Sequence, residues 1–305
     1  MRILVTGGAG YIGSEIVRTL ADSSDVHEVV VYDNLSRPNY NLFLNRDKIR
    51  GKVRFIQGEL LDSRNLKLAL EGIDWVIHCA ARVISPFSDQ LSHSFEQVNH
   101  WGTAELVYAI EEVGTSRLTH LSSSSIYGSH LEPVGVGDIP NPQTFYGISK
   151  RRAEEHVERL IATGHDSQIL RCGNVYGFSK SMRFDTVINR LLFDAHFRGR
   201  VVIHGSGEQY RAFIHIRSIA DLFAKMATER ITSGTFDLVE MNLKVNEIAQ
   251  TLKNIYPEME MLFIDQNMKM REIQIRTESQ LAPWTPRTSV DLEKDLIEFR
   301  DHFSF

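Results

Sequence analysis

Short apolar runs alternate with amphipathic segments through the first half of the chain. The runs are rich in β-branched residues and have no period of their own, which is typical of strands buried on both faces of a parallel sheet. They predict strands at Arg2–Thr6, Glu28–Tyr32, Val53–Gln57, Asp74–His78, Arg117–Leu121 and Ser167–Arg171. Helical patterns lie between them, around Asn65–Leu70, Phe95–Val113 and Tyr146–Ile161. This alternation predicts an α/β fold with a doubly wound parallel sheet.

The pattern changes after Gly177. Amphipathic segments mix with short strand-like runs, at Thr186–Phe197, Val201–Ile203, Phe213–His215, Ile219–Thr228, Thr235–Val239 and Asn246–Ile255. We therefore expect a main domain over 1–174 and a smaller α/β domain over 175–305 that closes over its cleft. Pieces near Phe213 and Phe236, within 210–240, are expected to return to the main sheet. A tail helix ending near Phe299 is predicted, with Thr288 or Ser289 as its N-cap.

Composition narrows the class of protein. The chain has 305 residues, of which 42% are hydrophobic, and a net charge of −5. A large core is therefore possible, and neither nucleic acid nor an anionic membrane is expected as a partner. Cys79 and Cys172 fall at strand ends and are interpreted as small buried residues in a reducing compartment. The first strand begins at Arg2 and no apolar run approaches the ~20 residues that span a bilayer, so we expect a soluble, cytoplasmic protein.

Glycines stand where the first strand becomes the first helix. Gly7, Gly10 and Gly13 allow a tight turn, let the backbone approach a pyrophosphate and let the helix pack closely on the strand. The free N–H groups at the helix start, around Tyr11 and Ile12, favour a phosphate there. A glycine-rich turn without a ligand is the alternative, but the order strand, glycines, helix favours a Rossmann dinucleotide site.

Asp33 ends the second predicted strand. An acidic side chain there accepts hydrogen bonds from the adenosine ribose hydroxyls and repels a 2′-phosphate. NAD is therefore predicted rather than NADP, although the nearby Arg37 would soften that preference. A local turn role for Asp33 is compatible with this one.

Tyr146 and Lys150 are four residues apart, which places them on one face if the segment is helical. A free tyrosine has a pKa near 10, and a neighbouring ammonium lowers it. The pair would supply a proton acceptor for an alcohol whose carbon loses a hydride. The spacing alone is common on solvated helices, so its weight comes from the glycine fingerprint upstream.

Small and polar motifs follow four of the predicted strands. They are Gly58–Asp62, His78–Ala81, Ser122–Gly128 and Gly173–Gly177. The carboxyl ends of parallel strands share one edge of a sheet, so these motifs are expected to face one cleft. His78 and His100 are interpreted as structural, and the separated His and Cys residues lack metal-ligand spacing, so no metal site is expected.

With these motifs together, the chain resembles the extended short-chain dehydrogenase/reductase family. Within that family it is most similar to the NAD-dependent nucleotide-sugar epimerases and dehydratases. The similarity runs from Arg2 to about Phe299 and is specific in the first half and at Gly205–Ile216, which reads GSGEQYRAFIHI. Between Met241 and Pro286 it is looser.

The resemblance implies a catalytic set. Ser123 would hydrogen-bond the reacting hydroxyl, with Ser124 beside it as a substrate contact and as the alternative for that role. Tyr146 would be the general base and acid. Lys150 would hold the nicotinamide ribose and lower the pKa of the tyrosine.

The resemblance also implies binding residues. Asn99 would support the active-site helix, and Asn174 and Arg211 would hold the diphosphate of a nucleotide sugar. The remaining cofactor contacts would be Asn34, Glu59, Leu60 and Ala80, with Glu59 and Leu60 replacing the usual Asp-plus-aliphatic pair beside adenine. Asn174 as a turn cap and Arg211 as a surface ion pair are the alternatives. A homodimer through the helices that bear Asn99 and Tyr146 is expected.

Two serines favour one reaction over another. The 4,6-dehydratases of this family carry Asp-Glu before the Ile-Tyr pair and the decarboxylases carry Glu, whereas this chain has Ser124 and Ser125. The resemblance therefore implies an epimerase, expected to invert carbon 4 through a 4-keto sugar. A dehydratase, a keto-sugar reductase or dehydrogenase of the same family, and a non-catalytic dinucleotide-binding protein are the alternatives.

Several positions depart from the family pattern. Ala212 stands where an Asp often follows the arginine, and Arg82 stands where small or polar residues are usual. The C-terminal phosphate-binding arginine has no clear counterpart, and Lys269, Arg271 and Arg276 are the candidates. These departures leave the sugar and the nucleotide open.

Overall fold

A computed structural model describes residues 1–37, 40–44, 52–83, 92–265, 270–278, 280–281, 284 and 290–305. Its strands are β1 (Arg2–Thr6), β2 (Glu28–Asp33), β3 (Val53–Gln57), β4 (Trp75–His78), β5 (Arg117–Ser123), β6 (Asp166–Cys172), β7 (Asn174–Tyr176), β8 (Arg200–His204), β9 (Tyr210–His215), β10 (Gly234–Leu238), β11 (Met241–Lys244) and β12 (Glu260–Ile264). Seven of them form one sheet in the order β10-β6-β5-β4-β1-β2-β3, and every pair in it is parallel. The predicted doubly wound α/β fold is confirmed.

The helices connect these strands and cover the sheet. They are α1 (Tyr11–Asp22), α2 (Ser63–Leu70), α3 (Ser92–Phe95), α4 (Gly102–Val113), α5 (Phe145–Ala162), α6 (Val187–Arg198), α7 (Ile216–Thr228), α8 (Val245–Ile255) and α9 (Leu292–Arg300). A π-helical turn, Glu96–Trp101, joins α3 to α4, and a 3₁₀ turn, Ser124–Tyr127, follows β5. The predicted helices are all present, with ends within a few residues of those expected.

Alternate residues of the strands point to opposite faces, and each face has its own core. Ile3, Val5 and Val29 pack against apolar residues of α1 and α7, such as Ile16 and Phe223. On the other face, the intervening residues Leu4 and Val30 belong to a cluster with residues of α2, α4 and α5. Because both faces are covered, the strands have no polar alternation, which explains the continuous apolar runs in the sequence.

One predicted return to the main sheet is confirmed and the other is wrong. Phe236 lies on β10, which pairs with β6 over five residues. Phe213 lies on β9, which pairs with β7 and β11 in a separate three-stranded sheet. The edge of β6 is already occupied by β10, so β9 pairs instead with the short strand β7 that continues beyond Gly173.

The second half has a core of its own. β8 and β12 form a two-stranded parallel sheet, and apolar residues of α6, α8 and α9 pack with it in one cluster. The short strands β7, β11 and β12 were not predicted, because they are three to five residues long and carry no clear alternation. The division into 1–174 and 175–305 stays a prediction.

The start of the tail helix differs from the prediction. α9 begins at Leu292, and the carboxylate of Asp291 caps it by accepting from the Lys294 N–H at 3.1 Å. Asp291 therefore replaces the predicted caps Thr288 and Ser289, which lie outside the described residues. A carboxylate at this position is favoured by the positive end of the helix dipole.

Two expectations from composition can be compared with the fold. In the parts of the chain that the structure describes, no helix is long and apolar enough to cross a membrane. Cys79 is half-buried and Cys172 is buried, and both are free thiols.

We expect Phe223→Ala to lower the free energy of unfolding by about 3–5 kcal/mol, because a fully buried ring is removed from the core. Phe223 stacks on Trp75 at 5.9 Å between α7 and the sheet. Urea denaturation measures the change. The control, Phe263→Ala, removes a ring that is 36% exposed and should cost less than about 1 kcal/mol. Equal losses in the two variants would contradict this account of the core.

Candidate active site

The glycine turn brings the first helix against the sheet without room for side chains. Gly7 has φ +68°, and a Cβ there would lie 2.6 Å from the backbone of Ala80, while a Cβ on Gly13 would lie 2.3 Å from the Gly7 carbonyl oxygen. Gly10 is the N-cap of α1 and has no side-chain cap, and the first turn contains no acidic residue. The N–H groups of Tyr11 and Ile12 are thus available to an anion, as a dinucleotide pyrophosphate requires.

Asp33 stands beside this turn at the end of β2. Its Oδ2 accepts from the Ala9 N–H at 3.0 Å and its Oδ1 from the Leu35 N–H at 2.8 Å, so both oxygens keep lone pairs for further donors. Arg37, expected to soften the preference for NAD, pairs with Asp185 at 3.4 Å. The positive charge of Arg37 is thereby partly neutralised by a carboxylate from the second half of the chain.

The predicted adenine contacts form one group. Asn34 donates to both carboxylate oxygens of Glu59, at 3.1 and 2.9 Å, and Tyr32 donates to the Glu59 carbonyl at 2.8 Å. Leu60 is buried and lies against Gly102 at the start of α4. The loop after β3 is therefore held beside the end of β2, where Asp33 lies.

His78 takes part in a complete hydrogen-bond chain. Thr6 Oγ1 lies 2.6 Å from His78 Nδ1, His78 Nε2 lies 2.9 Å from Thr103 Oγ1, and Thr103 donates to the Asn99 carbonyl at 2.6 Å. Burial lowers the pKa of His78 to about 3, so the ring is neutral. The Ala80 N–H donates to Thr6 Oγ1 at 3.4 Å, which ties the predicted cofactor contact Ala80 to the same chain. These contacts agree with a structural histidine.

Asn99 joins the loop after β4 to the active-site helix. Its Oδ1 accepts from the Arg82 N–H at 2.7 Å, and its Nδ2 donates to the Arg82 carbonyl at 2.9 Å and to Ser149 Oγ at 3.0 Å. Asn99 is 1% exposed and lies in the π-helical turn, an irregularity frequent at functional sites. The amide therefore fixes the backbone of Arg82 relative to the residue that precedes Lys150.

Ser123 and Tyr146 meet at the end of β5. Ser123 Oγ accepts from the Ser125 N–H at 3.2 Å and also shares a hydrogen bond with the Tyr146 phenol. Thr144 caps α5 by accepting from the Gly147 N–H at 2.9 Å, which places Tyr146 in the first turn. Ser124 is buried in the 3₁₀ turn next to them.

Two groups counteract the effect of burial on Tyr146. Burial raises the pKa of the Tyr146 phenol, whereas its hydrogen bond with Ser123 and the charge of Arg183 lower that pKa. The Arg183 guanidinium is held by Asp185 at 2.7 Å and is only 17% exposed. Arg183 was not predicted from the sequence, because nothing in its local pattern distinguishes it from a surface arginine.

Lys150 is buried directly behind this pair, on the same helix. Its Nζ donates to the Leu121 carbonyl at 2.5 Å and lies 3.4 Å from His120 Nε2. Burial lowers the pKa of Lys150 to about 8, and the charge of Glu154 opposes that shift. The predicted catalytic residues Ser123, Tyr146 and Lys150 are thus brought together at the carboxyl ends of β5 and β6.

The predicted diphosphate residues are also neighbours. Asn174 on β7 donates to the Ala212 carbonyl at 3.0 Å, next to Arg211 on the paired strand β9. Burial and the charge of Arg271 lower the pKa of Arg211 to about 10. Arg211 donates to the Arg271 carbonyl, and its guanidinium is acted on by the charge of Arg271, which the carboxylate of Glu272 opposes. An anionic ligand bound to both arginines would reduce the repulsion between them.

Of the three candidates for the missing arginine, the structure favours Arg271. Arg276 is engaged by Asp138 at 2.5 Å and by the Pro133 carbonyl at 3.1 Å. Lys269 lies outside the described residues. Ala212, where an Asp is usual, is fully buried in a small cluster with Ile126 and Val239, which leaves no room for a solvated carboxylate.

The model of the NAD dependent epimerase/dehydratase family matches residues 3–238 of this chain. The chain belongs to this family. The resemblance inferred from the motifs is therefore confirmed, and so is NAD as the expected cofactor, since the family is NAD dependent. The glycine turn with its uncapped helix start, and Asp33 beside it, fit that cofactor.

Individual relatives divide between two reactions. The human dTDP-D-glucose 4,6-dehydratase is 30% identical over 273 residues, 85% of this chain and 76% of that protein. A provisionally named UDP-glucose 4-epimerase of Methanocaldococcus jannaschii is 29% identical over 262 residues, 83% of this chain and 81% of that protein. Among solved structures, MoeE5 in complex with UDP-glucose and NAD has a TM-score of 0.82 at 27% identity, covering 99% of this chain and 98% of that one.

We expect Asp33→Ser to weaken NAD binding by about 10- to 100-fold, because a charged acceptor of the ribose hydroxyls is lost. NADP affinity should fall less or improve, since a negative charge is removed. Fluorescence titration with NADH and NADPH measures both. Asp22→Ser, at the exposed end of α1, is the matched control and should change neither. An unchanged ratio of the two affinities in Asp33→Ser would refute the assignment.

Proposed function

We propose that this protein is an NAD-dependent nucleotide-sugar epimerase that inverts carbon 4 through a transient 4-keto sugar. The family supplies the reaction type, which begins with oxidation of a sugar hydroxyl. The choice of epimerisation rests on the turn after β5, where Ser124 and Ser125 stand.

The residues at the end of β5 and the start of α5 provide the proton chemistry. Tyr146, once its phenol is deprotonated, takes the proton of the sugar hydroxyl, which Ser123 orients by hydrogen bonding. NAD would supply the acceptor for the hydride of the same carbon and the donor for its return. Lys150 would hold the nicotinamide ribose, while Arg183 supplies the positive charge that acts on the phenol. When the hydroxyl re-forms, Tyr146 returns the proton.

Epimerisation further requires the keto sugar to turn over within the site. Anchoring the substrate by its diphosphate rather than its sugar allows that rotation. Arg211 and Arg271 provide adjacent cations for this anchor, and Asn174 lies beside them. Arginine is suited to the task because its planar fork binds phosphate oxygens in pairs.

The serines of the 3₁₀ turn support epimerisation over dehydration. A 4,6-dehydration must remove a proton from carbon 5 and protonate the hydroxyl that leaves carbon 6, which requires an acid and a base beside the sugar. Ser124 is buried, and the Ser125 hydroxyl is buried without a partner among the described residues. Neither hydroxyl is an acid or base of the required strength at neutral pH.

A 4,6-dehydratase is the second candidate. It is favoured by relatives such as the human dTDP-D-glucose 4,6-dehydratase, which is 30% identical. The two reactions share the oxidation step and therefore Tyr146, Lys150 and Ser123. They differ in the mass of the product, which decides between them.

The test begins with denaturing extraction of the purified protein and mass spectrometry of the released small molecules. Near-stoichiometric NAD would support a reaction that recycles its cofactor, as both epimerisation and 4,6-dehydration do, and a co-purified nucleotide sugar would name the substrate. The protein is then incubated with UDP- and dTDP-sugars. A product of unchanged mass with inverted carbon 4 supports the proposal, whereas a product lighter by one water identifies the dehydratase.

We expect Tyr146→Phe to lower kcat by at least about 100-fold, because general acid–base catalysis contributes roughly that much. Its NAD content should stay the same, since the phenol is not part of the glycine turn. Product formation and extracted NAD are measured on the same preparation. Turnover near the wild-type rate would show that another group accepts the proton. Tyr127→Phe would be a poor control because its hydroxyl bridges buried charges, so Tyr108→Phe on exposed α4 surface is used.

We expect Arg271→Gln to raise KM for the nucleotide sugar by about tenfold with little change in kcat, because a phosphate contact is lost in both ground and transition states. Arg276→Gln is the matched control and should leave KM unchanged, since its guanidinium is engaged by Asp138. A higher KM in Arg276→Gln alone would reverse the assignment of the two arginines.

A further inference from the structure

A buried ion pair lies one turn beyond Lys150 on the active-site helix. Glu154 is fully buried, and Arg171 of β6 grips its carboxylate with two bonds, Nε to Oε1 at 3.1 Å and Nη2 to Oε2 at 2.8 Å. Arg151 lies 3.4 Å from the same carboxylate. A buried pair of this kind is weak evidence for stability, because the cost of desolvating two charges offsets their attraction. A role other than stability is therefore expected for this ion pair.

The pair continues into a line of polar groups that reaches three elements of the site. Arg171 Nη1 donates to the Tyr127 hydroxyl at 2.8 Å, and Tyr127 donates to Asp237 Oδ1 at 2.9 Å. Tyr127 ends the 3₁₀ turn that contains Ser124, while Arg171 lies three residues before Asn174. The line therefore joins the serine turn, the active-site helix and the strand leading to the diphosphate residues.

Lys150 has no carboxylate in contact among the described residues. Its ammonium contacts a carbonyl and a neutral imidazole, those of Leu121 and His120. Glu154 is four residues further along α5, so the two side chains are neighbours on one face of the helix.

The other titratable groups around Lys150 carry no charge. They are His78 on β4, Cys79 after it, His120 on β5, Cys172 on β6 and Tyr146 on α5. Burial lowers the pKa of both histidines and raises the pKa of both thiols and of the phenol, so all five are neutral near pH 7. Among the described groups that act on Lys150, Glu154 is the one anion.

We propose that Glu154 is a positioning residue of the catalytic set, whose carboxylate keeps the buried Lys150 ammonium charged while Arg171 holds that carboxylate in place. The proposal rests on the proposed function in assigning Lys150 to the nicotinamide ribose. It adds that the charge state of Lys150 is set from the next helical turn rather than from within the cleft.

The expected pH dependence follows from the sign of this interaction. The pKa of Lys150 is about 8, so its ammonium is present below that pH and is lost as the pH rises through it. Removing the negative charge of Glu154 lowers that pKa further. In Glu154→Gln the basic limb of the kcat profile should therefore move to lower pH by at least about one unit, with activity near pH 6 largely kept.

A readout without any sugar separates this proposal from the proposed function. NADH affinity, measured by fluorescence titration between pH 6 and pH 9.5, should weaken as Lys150 loses its proton. In Glu154→Gln that weakening should begin at least about one pH unit earlier than in the wild type. If no nucleotide sugar is turned over, the proposed function fails while the NADH profile still decides the role of Glu154.

The chain provides matched controls. Glu158→Gln makes the same charge change one turn further along α5, at a carboxylate that is 38% exposed and pairs with Arg151 at 2.7 Å. Its pH profiles should match the wild type. Glu154→Asp keeps the charge and should largely restore the wild-type basic limb.

A double variant covers the case in which Glu154→Gln fails to fold because Arg171 is left unpaired. Glu154→Leu with Arg171→Met removes both charges and keeps apolar volume, a replacement that buried ion pairs often tolerate. It should also show an early loss of NADH affinity, smaller than in Glu154→Gln because the Arg171 cation is removed as well. Wild-type basic limbs in Glu154→Gln and in the double variant, or an equal shift in Glu158→Gln, would overturn the proposal.

Discussion

The candidate site depends on one constraint, which is that parallel strands all end on the same side of their sheet. The glycine turn follows β1, Asp33 ends β2, Glu59 follows β3, Ala80 follows β4 and Ser123 ends β5. Residues that are far apart in the chain therefore meet along one edge without any long connection. The helices on both faces of the sheet hold this arrangement in place, because every strand except the edge strand β10 contributes to both cores.

Near this edge of the sheet, charged side chains are buried away from water. Each of them therefore needs a hydrogen-bond partner or an opposite charge. Lys150, Glu154, Arg171 and Asp237 alternate in sign along the buried region between α5 and β10. Burial raises the pKa of Asp237, and Tyr127 and the Val136 N–H counteract this by donating to its carboxylate. An alternating line lowers the cost of burying each charge, while burial still leaves the ammonium of Lys150 close to its point of deprotonation. A lysine in that condition responds to small changes in its surroundings, which suits the catalytic role proposed for this helix.

The second half of the chain contributes groups that the first half lacks. Arg211 and Arg271 bring positive charge, and Arg183 reaches towards Tyr146. The loop that carries Arg183 is fastened to α1, since Tyr11 donates to the Gly177 carbonyl at 2.6 Å and Ser179 donates to Glu15 at 2.8 Å. The first helix and the second half of the chain are thus linked by hydrogen bonds that begin at Tyr11, next to the glycine turn.

The sequence by itself determined most of the elements and the family, because both are written in local patterns. Continuous apolar runs predict strands buried on two faces, and the spacing of Gly7, Gly10 and Gly13 or of Tyr146 and Lys150 is a local property of a turn or a helix. Only the tertiary structure decided which strand β9 pairs with, that Arg276 is engaged by Asp138, and that Glu154 is bound by Arg171. Each of these outcomes depends on which neighbour already pairs with a strand edge or with a charged side chain. Those neighbours are distant in the chain, so a local sequence pattern does not identify them.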